Sequence, residues 1–111
     1  MLQLIVGDDT LNAAARTALR HVLDLRRDEA RKQAEIEGLR KALNDVQADE
    51  ERIRNNLAAV SAGDALRTRL TKALDADETR IEQLLKSIAG ATSEVDQMHR
   101  TLATAIATLR I

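Results

Sequence analysis

The chain has 111 residues, and its 17 basic and 18 acidic side chains leave a formal net charge of −1. It contains no Phe, Trp, Tyr, Pro or Cys, which excludes disulfides and thiolate chemistry and provides no aromatic ring for stacking on bases. Since the basic excess typical of nucleic-acid-binding proteins is also missing, we predict no nucleic-acid binding. No apolar run reaches about 18–20 residues, so we also predict a soluble chain without membrane insertion.

The chain begins with a short apolar run, MLQLIV, which ends at Gly7. The run is too short for a signal peptide and lacks the basic flank of one. We predict an extended segment over residues 1–8, either a strand remnant of a preceding domain or a dimer contact, because a lone strand has no pairing partner. An oxygen of Asp8, Asp9 or Thr10 would then cap the first helix.

An apolar stripe with alternating spacings of four and three residues predicts one long helix over residues 9–60. Three polar residues, Glu29, Lys32 and Glu50, interrupt this stripe. Its fifteen positions are Leu11, Ala15, Ala18, Val22, Leu25, Glu29, Lys32, Ile36, Leu39, Leu43, Val46, Glu50, Ile53, Leu57 and Val60.

A second stripe predicts a helix over residues 64–110, with Asp77 at a position where an apolar residue is expected. Gly90 could end this helix and Ser93 could cap a third one. We expect a continuous helix, because the apolar spacing passes through Gly90 and one glycine costs only about 1 kcal/mol. The stripe consists of Leu66, Leu70, Leu74, Ile81, Leu84, Ile88, Ala91, Val95, Met98, Leu102, Ala105 and Leu109.

A turn over residues 61–64, Ser-Ala-Gly-Asp, separates the two stripes. Gly63 can adopt the left-handed conformation that ends a helix, and Asp64 can cap the next one. So short a connection makes the two helices antiparallel neighbours, with Ile36 level with Ile88. The predicted fold is therefore all-α, an antiparallel two-helix coiled-coil hairpin.

Both stripes widen near the chain ends, which we call the base of the hairpin. A two-helix seam needs only a narrow stripe, so the wider one predicts a further contact. We predict a homodimer through the base, which would form a four-helix bundle; a missing domain or ordinary alanine-rich helix filling are the alternatives. The additional residues are Ala14, Leu19, Leu23, Ala103, Ile106, Ala107 and Ile111.

Chemistry-bearing residues are sparse. His21 and His99 would lie about one turn apart in the hairpin, with Asp24 and Asp96 nearby. A zinc site needs three or four converging ligands, and no HExxH spacing is present. We therefore predict no cofactor and no enzyme, and keep a metal- or ligand-binding helical bundle as the alternative function.

The tip of the hairpin is the remaining candidate site. Arg52, Arg54, Arg67 and Arg69 cluster there, and guanidinium groups suit an acidic or carboxylate-bearing partner. The alternative is structural. The arginines would then pair with neighbouring acids while Asn55 or Asn56 bonds the turn backbone.

The segments EERIRNNL and LTKALDADETRIEQL resemble the coiled-coil hairpin of uncharacterised bacterial mucoidy-inhibitor-like proteins. Leu70 stands where that family usually has Tyr, and LQLIVGDDTLNAAARTALRHVLDL resembles the family's strand-to-helix entry. The resemblance implies a hairpin between β-domains of a larger protein, whose biochemical role is poorly defined. The matching residues are Arg52, Ile53, Arg54, Asn56, Leu57, Leu74 and Glu78.

The sequence thus predicts a non-enzymatic structural or protein-interaction module, a fragment of a larger bacterial protein. The partner protein and the compartment are left open.

Overall fold

The computed structural model describes the backbone of residues 2–109 and the side chains of residues 12–109. It consists of two helices, α1 (Leu2–Ala58) and α2 (Ala65–Leu109), and has no strand within residues 2–109. The helices pack against each other as a helical hairpin, which confirms the all-α prediction. The absence of proline and the abundance of alanine, leucine and charged residues favour helices of this length.

The beginning of α1 differs from the predicted extended segment over residues 1–8. Residues 2–8 belong to α1, so Asp8, Asp9 and Thr10 lie within the helix and do not begin it. A helix satisfies its backbone hydrogen bonds within the segment, whereas a single strand needs a neighbouring strand. The helical state therefore requires no partner, and this part of the prediction is corrected.

Two compact units make up the chain, and each contains one stretch of both helices. Unit 1 comprises residues 1–33 and 93–111, and unit 2 comprises residues 34–92. In unit 1 the seam, the line of contact between the helices, buries Val22, Val95 and Leu102. In unit 2 it buries Ile36, Ile53, Leu84 and Ala91.

The two predicted stripes make up most of the residues that the hairpin shields from solvent. Every stripe position within residues 12–109 is buried or half-buried, except Ala15 and Leu66, which are exposed. The polar interruptions follow the same rule: Glu29 is buried and Lys32, Glu50 and Asp77 are half-buried. Spacing alone therefore identified the seam, including the positions where its chemistry is polar.

The turn between the helices is closed by local hydrogen bonds. The Val60 amide donates to the Leu57 carbonyl (3.2 Å), and the Asp64 amide donates to the Ser61 carbonyl (3.1 Å). The Leu66 amide donates to Asp64 Oδ1 at 3.0 Å, which confirms Asp64 as the cap of α2. No described glycine has a positive φ, so the predicted left-handed conformation of Gly63 is wrong. The turn reverses the chain without it.

Helix α2 continues through Gly90, as predicted. Gly90 is exposed, and a Cβ built on it would have no neighbouring atom within 4 Å. A third helix does not form there.

Candidate interaction surfaces

Two of the four predicted tip arginines form ion pairs with acids of unit 2. Arg52 pairs with Asp49, three residues earlier. Arg54 Nη2 lies 2.7 Å from Glu50 Oε1 on its own helix and 3.6 Å from Glu78 Oε1 on α2. Exposed ion pairs contribute little to stability, so these contacts orient the guanidinium groups more than they hold the hairpin together.

The other two tip arginines lie on the first turn and a half of α2. The Arg67 guanidinium donates through Nη1 to the carbonyls of Leu57 (3.4 Å) and Val60 (3.3 Å). These carbonyls belong to the end of α1, where backbone acceptors lack partners within the helix. Arg67 therefore caps α1 from the opposite helix. Arg69 is exposed and has no ion pair or hydrogen bond among residues 12–109.

The structure accordingly gives three of the four tip arginines a role within the hairpin. The partner-binding tip stays a prediction. The turn backbone is bonded by Arg67 and Asp64, and no hydrogen bond from the side chains of Asn55 or Asn56 is found among residues 12–109.

Unit 1 contains a polar layer in its seam. Glu29 is 7% exposed, and its Oε1 lies 2.5 Å from Nδ1 of the exposed His99. The two groups approach without an aligned hydrogen bond, because that oxygen has no hydrogen-bond partner among the described residues. One turn further along, Lys32 Nζ lies 2.6 Å from Glu94 Oε2. In coiled coils a polar residue at a seam position can specify the register of the paired helices.

Unit 2 contains a second polar layer, which is mainly acidic. Across the helices, the carboxyl groups of Asp49 and Asp77 are close enough for a hydrogen bond when one of them is protonated. This hydrogen bond raises the pKa of Asp77, as do burial and the charges of Asp49 and Glu50, and Arg52 opposes this effect. The same bond, followed by Arg52, lowers the pKa of Asp49. Asp77 Oδ2 is buried and lacks a hydrogen-bond partner within residues 12–109.

The two histidines border different grooves of unit 1. His21 lines one with Ala18, Thr101 and Thr104, and His99 lines another with Arg26 and Glu29. Within residues 12–109, no group of three or more His, Asp or Glu side chains is arranged to hold a metal ion. The structure thus does not bring together the residues named for the metal-binding alternative.

Among residues 12–33 and 93–109 of unit 1, the most exposed large apolar residues lie at the base of the hairpin. Leu19 and Leu23 are 50% and 51% exposed and lie one turn apart on α1. Their stripe continues at the same helical spacing to Arg26 and Ala30. Both Arg26 and Ala30 border the groove of His99.

Helix α2 contributes the other edge of the apolar face that Leu19 and Leu23 begin on α1. Ala103 and Ile106 follow His99 at spacings of four and three residues, so all three share one side of α2. Ala103 and Ala107 are exposed and Ile106 is half-buried. We call Leu19, Leu23, Ala103, Ile106 and Ala107 the base surface. Ala14 is exposed, but it lies on the side of α1 that carries His21, seven residues later, and so is not part of the base surface. Ile111 lies outside the described residues.

Sequence reasoning marked the polar seam positions but not their partners. His99, Glu94 and Asp49 lie beside the seam, where a stripe analysis has no signal. The opposite charges of protonated His99 and of Glu94 to Glu29 and Lys32, and the like charge of Asp49 to Asp77, become visible only once the register is known.

No family model, curated protein or solved structure matches this chain. Over the described residues, neither helix contains an apolar stretch long enough to cross a membrane.

Proposed function

We propose that the chain is a non-enzymatic structural and protein-interaction module that binds another polypeptide through the base surface. The observation that carries this proposal is the exposure of Leu19 and Leu23, each about half exposed beside a seam that buries Val22. Adjacent exposed leucines that extend into an apolar face are typical of interaction sites. The polar groups of the two seam layers serve the pairing of the helices.

The hairpin is, in this proposal, part of a larger bacterial protein of the mucoidy-inhibitor-like kind. Support comes from the two segments that carry the resemblance. Arg54 of the first and Glu78 of the second approach within 3.6 Å, and Ile53 of the first is the most buried residue of the seam at 3% exposure. Residues shared with that family thus support the hairpin itself.

Photo-crosslinking tests the interaction function. A photoreactive amino acid at position 19 or 23, in cells that make the native protein, is expected to yield an adduct with another polypeptide. The matched control is position 85, because Leu85 is equally exposed at 51% but lies in unit 2. No adduct at 19 and 23, or equal adducts at all three positions, would contradict the proposal.

A homodimer through the base is the second candidate for the interaction. It is favoured by the extension of the apolar face onto α2 at Ala103, Ile106 and Ala107, which would allow two hairpins to form a four-helix bundle. If this homodimer forms, sedimentation equilibrium will show a mass that rises with protein concentration, and the melting temperature will rise with concentration as well. A constant monomer mass would exclude the homodimer and leave a different polypeptide as the partner.

A further inference from the structure

Arginines surround the two exposed leucines of the base surface. They occupy neighbouring positions on the surface of α1, three or four residues away from a leucine. The set consists of Arg16, three residues before Leu19, and Arg20, Arg26 and Arg27, which lie three or four residues from Leu23. All four are exposed.

Acidic groups compensate only part of the positive charge of this set, and one of them is Glu29, which borders the same groove as Arg26. Asp24 is the one acid between residues 16 and 27, and it pairs with Arg27 at 3.7 Å. Among residues 12–109, Arg16, Arg20 and Arg26 have neither an ion pair nor a hydrogen bond. The arginines at the tip differ, since Arg52 and Arg54 both have acidic partners. The base therefore presents apolar side chains within a border of guanidinium groups, three of which have no ion pair among residues 12–109.

Helix α2 extends this charge across the base surface. Arg100 is exposed and precedes Ala103 and Ala107 by three and seven residues, on the same side of α2. It too has no ion pair within residues 12–109. Asp96, one turn earlier, is the acid nearest to it along α2 on this side. Arg100 thus adds one cation to the α2 edge of the base surface, with Asp96 as its acidic neighbour.

We infer that the base surface binds an acidic amphipathic helix of another protein. This inference rests on the proposed interaction function and names its partner. Leu19 and Leu23 are spaced as i and i+4, so their side chains form a short ridge along α1. A partner helix can pack this ridge between its own apolar side chains. Carboxylates flanking that apolar stripe would pair with the guanidinium groups, which bind them with two parallel hydrogen bonds.

Two other occupants fit the same surface less well. A second copy would place its own Arg16, Arg20 and Arg26 near those of the first, and like charges across an interface oppose binding. An anionic membrane would attract the arginines, but stable insertion needs a broad apolar face with several large side chains. On α1 within the described part of unit 1, two leucines are exposed.

A methyl NMR titration tests this partner. The probe is a synthetic helical peptide with leucines at i, i+3, i+4 and i+7 and glutamates beside them; its counterpart carries lysines in place of the glutamates. The acidic peptide is expected to shift the methyl signals of Leu19 and Leu23 and to leave those of Leu85 unchanged. Added salt should weaken binding. The lysine peptide should produce no shift.

Two variants separate the apolar and the charged contributions. Leu19→Ala with Leu23→Ala is expected to weaken binding of the acidic peptide about tenfold or more, as for loss of central apolar contacts. Arg16→Gln with Arg20→Gln should weaken it and flatten its salt dependence. Leu85→Ala is the matched control and should bind normally. All three replace exposed residues, so the fold is expected to persist.

Several results would overturn the inference. These are equal shifts with both peptides, shifts away from Leu19 and Leu23, binding to anionic phosphatidylserine vesicles without binding to the peptide, or a stable homodimer that occupies the surface. If crosslinking from position 19 nevertheless captures a partner without an acidic helix, the interaction function stands and the acidic partner is wrong. If neither experiment shows a contact at Leu19, both fail.

Discussion

Replacing Ile53 with alanine is expected to lower the free energy of unfolding by about 2–5 kcal/mol, the usual range for truncating a buried isoleucine. Ile53 is 3% exposed, the lowest value among the buried apolar residues. A hairpin of two helices has little other structure that can close around the cavity. Urea unfolding, followed by circular dichroism at 222 nm, measures the loss directly.

Two further variants make this prediction decisive. Leu85→Ala removes an equally apolar side chain that is 51% exposed, and surface substitutions usually change stability by less than about 0.5 kcal/mol. Ile53→Val, which removes a single methylene group, should cost about 0.5–1.5 kcal/mol and keep the protein measurable if the alanine variant unfolds. Equal effects at positions 53 and 85 would show that the seam is not where the structure places it.

Replacing Asp77 with asparagine is expected to raise the melting temperature at pH 7. The hydrogen bond with Asp49, burial and the charges of Asp49 and Glu50 raise the pKa of Asp77, so the ionised form of Asp77 is disfavoured in the folded protein. An asparagine amide can donate to the Asp49 carboxylate as protonated Asp77 does. The substitution would then remove the repulsion of Asp77 by Asp49 and Glu50, while Arg52 keeps its ion pair with Asp49.

The pH dependence follows from the directions of the two pKa shifts. The pKa of Asp77 is raised above its usual 3.8, so the stability it contributes is present below that value and is lost as pH rises through the raised pKa. The pKa of Asp49 is lowered, so its contribution is present above 3.8 and is lost as pH falls through the lowered pKa. The pair therefore stabilises the hairpin most between the two, where it shares one proton.

Thermal unfolding at several pH values from 7 to 3 compares the Asp77→Asn variant with the unsubstituted protein. The difference in melting temperature in favour of Asp77→Asn is expected to shrink as pH falls through the raised pKa of Asp77. The matched control is Asp75→Asn, which removes the same charge from an exposed position two residues away on α2 and should show no such change. An advantage that stays constant with pH, or appears equally in Asp75→Asn, would contradict the shared proton.

Periodicity in the sequence was sufficient to predict the hairpin. A helix that buries one stripe must place it every three or four residues, so the stripe from Leu11 to Val60 reveals the seam without a structure. The turn was equally visible, since Ser61 to Asp64 interrupts both stripes and Asp64 is a good cap. The start of α1 could not be predicted in this way. The run MLQLIV suits either a helix or a strand, and its sequence does not say whether a pairing strand exists.

The surfaces were harder to predict than the seam. Arg67 was grouped with the tip arginines because it is close to them in sequence, yet its guanidinium caps α1. That role depends on the distance across the turn, which no spacing rule supplies. The arginines around Leu19 and Leu23 were visible in the sequence. That three of them have no ion pair within residues 12–109 could be learned only from the positions of the side chains.

Spin labels on the two helices test the central claim, that α1 and α2 fold back on each other within one chain. The chain has no cysteine, so Glu37→Cys with Ala89→Cys gives two specific labels, both at exposed positions of unit 2. Packed helix axes lie about 8–10 Å apart, so strong dipolar broadening is expected. It should persist unchanged when labelled protein is diluted into an excess of unlabelled chain. Broadening that is absent, or that disappears on dilution, would contradict the hairpin.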